Sequence, residues 1–181
     1  MDCPKCLQKG CRAGTPCVDR SDGYVVEYDT DEVAACTGAA SALVDDGRAG
    51  TLNRLEEIVE YSKSRGYTKI GVAYCYGMEK EATALRAYLS EAGFKPEMVS
   101  CTVDGIKESR LDPAKKTQTV SCNPIGQAHA LNRAKAQFTL LMGLCLGHDI
   151  LLQKRLRMDF TTFVVKDRVL GHNPLRALSP P

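Results

Sequence analysis

The chain has no tryptophan, and its positive and negative residues nearly cancel, leaving a net charge of +2. A balance that close to neutral offers no electrostatic case for a nucleic-acid or acidic partner. No apolar run reaches the roughly 20 residues that cross a bilayer. The N-terminal MDCPKCLQKG lacks the apolar centre of a secretion signal, so a cytoplasmic protein is expected. The sequence carries no G-x-G-x-x-G after its first strand-like run, where CYGMEKEA stands instead. It also has no G-x-x-x-x-G-K-[ST], no G-x-S-x-G and no H-E-x-x-H. Dinucleotide and P-loop nucleotide binding, the hydrolase elbow and the helical zinc-protease site are therefore without support. There is no low-complexity segment and no repeat at solenoid periods.

What the chain has in excess is cysteine, nine residues in 181. In a reducing compartment such a set points to metal binding or catalysis before disulfides. The odd count leaves one thiol over in any fully paired scheme. Four of the nine open the chain as C-x2-C-x4-C-x5-C, through Cys3, Cys6, Cys11 and Cys17. Proline and glycine between them favour a tight loop, and four thiolates in one loop suit structural zinc or an iron–sulfur cluster. The spacing matches neither common ferredoxin pattern, so the metal stays open. Residues 1–22 are read as this metal-binding loop and residues 23–181 as an α/β domain.

Apolar residues make up 44% of the chain, enough for a real core. A helix is expected over residues 30–46, capped by Thr30 or Asp31, with Cys36 on its apolar face as a small buried hydrophobe. A second helix runs through 52–66, with Gly66 as its stop. Strand and helix then alternate: strands at 69–75, 97–103, 138–145 and 161–166, helices at 79–92, 124–134 and 149–156. Asn123 caps the middle helix, with Pro124 in its first position. The polar stretch 104–121 reads as a cover loop. Such alternation predicts a small, open, mostly parallel Rossmann-like sheet of about four strands with right-handed crossovers. In the strand order 2-1-3-4 the first and third strands flank the switch point, where open sheets hold ligands.

That order brings Cys75, at the end of KIGVAYC, beside Cys145, at the end of FTLLMGLC. Cys122 precedes a helix start, where the dipole favours a thiolate. The expectation is that Cys75, Cys122 and Cys145 hold a cluster of the 4Fe–4S type with one iron open to substrate. His148 follows Cys145 by three residues and is a candidate general acid. Lys166, Asp167 and Arg168 follow the last strand on the same edge and suit an anionic substrate. His172 and Asn173, in the next turn, are weaker candidates. Cys101 reads as a core thiol inside the second strand, outside the site, and His129 as solvent-facing.

The blocks CPKC, GVAYCYGMEKEA, SCNPIGQA, GLCLGHD and VVKDRVLGHNPLRAL together resemble a bacterial and archaeal family called domain of unknown function 1847. Its members are described only as predicted metal-binding proteins. The resemblance implies metal binding by cysteine and no assigned reaction. The motif cysteines map onto Cys3, Cys6, Cys11 and Cys17, and onto Cys75, Cys122 and Cys145. His148 and the Lys166 to Arg168 turn lie in matching blocks.

Two readings follow. One is an iron–sulfur protein that acts on a small sulfur- or redox-related substrate, or with a redox partner, using His148 and Lys166. The other is a non-catalytic zinc-binding sensor, carrier or structural module. Thiol–disulfide exchange ranks third, because the only C-x-x-C lies in the N-terminal loop and not at a strand-to-helix junction.

Overall fold

The computed structural model describes residues 2–17 and 21–178. The expected boundary after residue 22 follows residues 18–20, which lie outside them. The chain forms two compact units, Met1–Arg48 and Ala49–Pro181.

In the first unit, short 3-10 turns at Cys3–Lys5 and Gly10–Ala13 carry the N-terminal cysteines. They are followed by helices α1 (Ser21–Val25) and α2 (Asp31–Ser41). Thr30 caps α2 as expected, its side chain accepting from Val33 N–H. Cys36 is a correction: it is exposed, and the buried position of α2 is Ala39. Both fall on a run of small residues, so composition did not tell which side is covered.

The second unit is an α/β layer structure. Its sheet holds β1 (Lys69–Tyr74), β2 (Lys95–Ser100), β3 (Phe138–Met142) and β4 (Asp159–Val164). The order is β2-β1-β3-β4 and every pair is parallel. Parallel strands need crossovers, and helices supply them. These are α4 (Glu79–Glu91), the short α5 (Glu108–Leu111) with α6 (Pro124–Arg133), and α7 (His148–Gln153), while α3 (Arg54–Ser64) precedes β1. Local chemistry sets the helix starts. Asn53 forms a capping box with Glu56 ahead of α3, and Asn123 accepts from Gly126 N–H ahead of α6, with Pro124 in the first turn.

Strand alternation divides the core between the two faces of the sheet. Ile70, Val72, Leu140 and Met142 pack with Ile58, Leu85 and Leu89 of α3 and α4. Ala73, Cys75, Val99, Cys101 and Leu141 pack with Ala128 and Leu131 of α6 and Leu152 of α7. Gly71 shares the latter face, and there α6 comes close. A methyl group at Gly71 would stand 2.7 Å from Thr139 Oγ1 and 2.8 Å from Leu131 Cδ2, and both neighbours are fully buried. Gly71→Ala is expected to destabilise the protein by about 1–3 kcal/mol through overpacking, read as a lower urea midpoint with an unchanged slope.

All four strands end earlier than expected, and β2 and β4 also begin earlier. β2 closes at Ser100, which puts Cys101 just beyond the strand rather than inside it. β3 closes at Met142, because Gly143 turns with φ 62° and its Cα packs against the Met78 side chain. Cys145 thus lies three residues past the strand, on a loop. Among the described residues, no helix is long and apolar enough to cross a membrane.

Candidate functional site

The chain leaves β1 for β2 in one direction and reaches β3 on the other side of β1. The C-terminal edge between β1 and β3 is therefore the switch point. Cysteines gather on that edge. Cys75 follows β1, and its backbone N–H continues the ladder to Met142 O at 3.1 Å. Cys101 follows β2, with its N–H on Tyr74 O at 2.8 Å. Tyr74 and Ser100 are register partners, so the two cysteines occupy successive positions on neighbouring strand ends. Cys122 is brought in from the loop before α6, because Asn123 N–H donates to Cys101 O at 2.7 Å.

A buried glutamine holds these ends together. Gln127 of α6 donates from Nε2 to Val99 O at 2.8 Å and to Tyr74 O at 3.2 Å, one or two residues before the cysteines. The sequence reading missed it. Its signal was a polar residue on the inner stripe of α6 between Ala128 and Pro124, both buried.

Cys122 Sγ lies 3.6 Å from Cys101 Sγ, and Cys101 packs in the same buried cluster as Cys75, each one position past the register pair Tyr74 and Ser100. Tyr76 N–H points at Cys101 Sγ from 3.4 Å. Cys75 and Cys101 are almost wholly buried, while Cys122 is half-buried.

The cations expected after β4 arrive at the same edge. Lys166 Nζ donates to Cys75 Sγ at 2.8 Å, and Arg168 Nη2 to Cys145 Sγ at 3.3 Å. Arg168 is also within electrostatic reach of Cys75. The turn that aims them is fixed by Asp167, whose Oδ1 accepts from Val169 and Leu170 N–H at 3.0 and 2.8 Å. His172 Nδ1 accepts from Asp167 N–H at 3.1 Å, a structural role in the same turn. His148 opens α7, and its backbone N–H holds Cys145 O at 2.9 Å. His129 is exposed.

The two buried thiols are driven apart. Burial alone would push Cys75 up, but the Lys166 ammonium and Gly77 N–H outweigh it and hold Cys75 below the ordinary thiol value. Burial pushes Cys101 up to about 12, with Cys122 and Cys75 adding to the rise against the pull of Tyr76 N–H. Cys75 is therefore the more readily ionised of the two.

A cavity of about 210 Å³ lies over the ends of β3 and β4, lined by Leu141, Leu144, Leu146, Asp149, Val164 and Lys166 among others. Its walls are mainly apolar, and Lys166 connects it to Cys75. The all-sulfur donor set suits a soft metal by chemistry. By position, no three Cys, His, Asp or Glu side chains among the described residues gather to hold one metal ion. Cys3, Cys6, Cys11 and Cys17 are all exposed.

Fold and edge define an α/β protein with cysteines at the strand ends of its switch point. The chain belongs to the family of proteins of unknown function DUF1847, which matches residues 17–163. The CPKC block and the Lys166 to Arg168 turn lie outside that span. Similarity extends further in an uncharacterized protein of Methanocaldococcus jannaschii, MJ0455, which is 38% identical over 98% of this chain and 93% of its own length. No solved structure matches.

Proposed function

We propose that the sheet edge is a cysteine-thiolate site that acts on a small sulfur- or redox-related substrate, with Cys75 as the nucleophile. The observation that carries this reading is the 2.8 Å contact between Lys166 Nζ and Cys75 Sγ beside the cavity. A thiolate is the reactive form of cysteine, and a neighbouring ammonium favours it. Lys166 binds and steadies the charged sulfur. Lys166 also lines the cavity, whose size leaves room for a small molecule only.

The second reading retains a metal. It has an iron–sulfur cluster at Cys75, Cys122 and Cys145, and zinc or a cluster at Cys3, Cys6, Cys11 and Cys17. Its support is that thiols follow three strands of the sheet and precede one helix, since sulfur donors select soft metals. As they stand, no three donors among the described residues gather around one ion.

The test is alkylation of the full chain with iodoacetamide across pH, mapped by peptide mass, alongside iron, zinc and acid-labile sulfide analysis of protein purified without oxygen. Metal-free protein whose Cys75 alkylates with a midpoint below the ordinary thiol value of about 8.5 supports the first reading. Iron with matching sulfide, lost in Cys75→Ser and Cys145→Ser, replaces it with the second.

A further inference from the structure

The nucleophile reading leaves two sulfurs unused. Cys101 and Cys122 stand 3.6 Å apart, and Cys101 neighbours Cys75 across the β1–β2 register in one buried cluster. The three form a row. Cys75 is deep and adjoins Lys166 at the cavity, Cys101 is buried in the middle, and Cys122 is half-buried at the loop before α6. Their backbones are tied by the Asn123 N–H bond to Cys101 O and by the shared register of β1 and β2.

We propose that Cys75, Cys101 and Cys122 form a three-thiol relay that reduces small-molecule disulfides, a proposal that rests on Cys75 being the nucleophile. An enzyme that attacks carbon needs one sulfur. A second thiol beside the nucleophile, and a third in contact with the second, are useful when the bond to be broken next is itself a disulfide.

The steps balance as follows. The Cys75 thiolate attacks one sulfur of R–S–S–R. The substrate bond breaks, Cys75–S–S–R forms, and RS⁻ leaves with the electron pair and takes a proton from solvent. The Cys101 sulfur then attacks the Cys75 sulfur. The second RS⁻ leaves and takes up the Cys101 proton, and Cys75–S–S–Cys101 remains. The Cys122 sulfur attacks Cys101, its proton passes to Cys75, and the disulfide now joins Cys101 to Cys122. Two protein thiols have supplied two electrons, and the substrate has become two thiols. A small dithiol, or the dithiol of a reductant protein, restores Cys101 and Cys122 by the same exchange. For the last bond the sulfurs must close from 3.6 Å to about 2 Å, which side-chain rotation is expected to supply. Cys145 takes no part, since Arg168 holds it on the other side of the switch point.

The test uses the reduced full chain, freed of excess reductant, with bis(2-hydroxyethyl) disulfide as the probe. Differential alkylation and peptide mass assign each cysteine, so the exposed N-terminal thiols do not confuse the result. Wild type is expected to release both halves of the probe and to accumulate a Cys101–Cys122 disulfide. Cys75→Ser is expected to form it several-fold more slowly, because the sulfur held by Lys166 is gone. Cys122→Ser should stop at the Cys75–Cys101 disulfide, and Cys101→Ser should retain the hydroxyethylthio group on Cys75. Cys101 is buried, and if its variant does not fold, Cys122→Ser decides alone. A lasting adduct on Cys75 in wild type, or a Cys122→Ser protein without the Cys75–Cys101 bond, overturns the relay while Cys75 remains the nucleophile. No reaction at Cys75 in any variant overturns both.

Discussion

Replacing Lys166 by methionine is expected to slow the alkylation of Cys75 at neutral pH by about tenfold or more. The argument is a contest of two environmental effects. Burial disfavours a thiolate, and the Lys166 and Gly77 hydrogen bonds favour it enough to prevail. Removing the ammonium takes away the foremost effect opposing burial, so the Cys75 thiol moves up. Each unit of that change removes tenfold of the reactive form at a pH below the midpoint. The pH–rate curve for Cys75 should shift towards higher pH, with little change in its alkaline plateau. Lys166→Arg keeps the charge and should recover part of the rate. A curve that does not move in Lys166→Met would show that the 2.8 Å contact has no electrostatic consequence.

The second large effect concerns Gln127. It is fully buried and ties α6 to the ends of β1 and β2. Gln127→Ala should cost about 2–4 kcal/mol, combining a cavity with the loss of a donor shared by two carbonyls. Gln127→Met fills the space and lacks only the hydrogen bonds, so its cost should be nearer 1–2 kcal/mol. Urea unfolding followed by circular dichroism measures both. Alkylation of Cys101 should also quicken in Gln127→Ala, since the strand end beneath it is released. Equal midpoints for wild type and Gln127→Ala would remove Gln127 from any positioning role.

Much of this architecture was legible in the residues. The strand start at Phe138, the stop at Gly66 and the Asn123–Pro124 helix start are local signals, and the structure has each of them in place. The parallel sheet followed from alternation, while the order 2-1-3-4 was an assumption drawn from open sheets in general, and the strands adopt it. The misplacement of β2 has a long-range cause. Where β2 lies depends on its pairing with β1, and Lys95 pairs with Lys69 directly after the Gly93 turn. Reading β2 two residues late put Cys101 inside the strand and hid its contact with Cys122. The case against thiol exchange rested on the lack of a C-x-x-C at a strand end. In the fold, Cys101 and Cys122 meet from 21 residues apart. Spacing along the chain reports local geometry, whereas this contact depends on a long-range backbone bond, Asn123 N–H to Cys101 O. Cys36 failed for the opposite reason, since a helix of small residues has no clear apolar side.

The parallel sheet also bears on how the chain acquires this chemistry. None of its strand pairs is a hairpin, and the central pair joins Ile70 to Phe138. Lys166 reaches Cys75 across 91 residues. Contacts of such sequence separation form slowly, because the intervening loop must close before they stabilise anything. During synthesis Cys75 therefore emerges as an ordinary thiol, and it stays one until β4 docks on β3 and brings the ammonium with it. The reactivity of a single cysteine thus marks the completion of folding. Followed by pulsed alkylation during refolding, it would time the docking of the last strand with no added label.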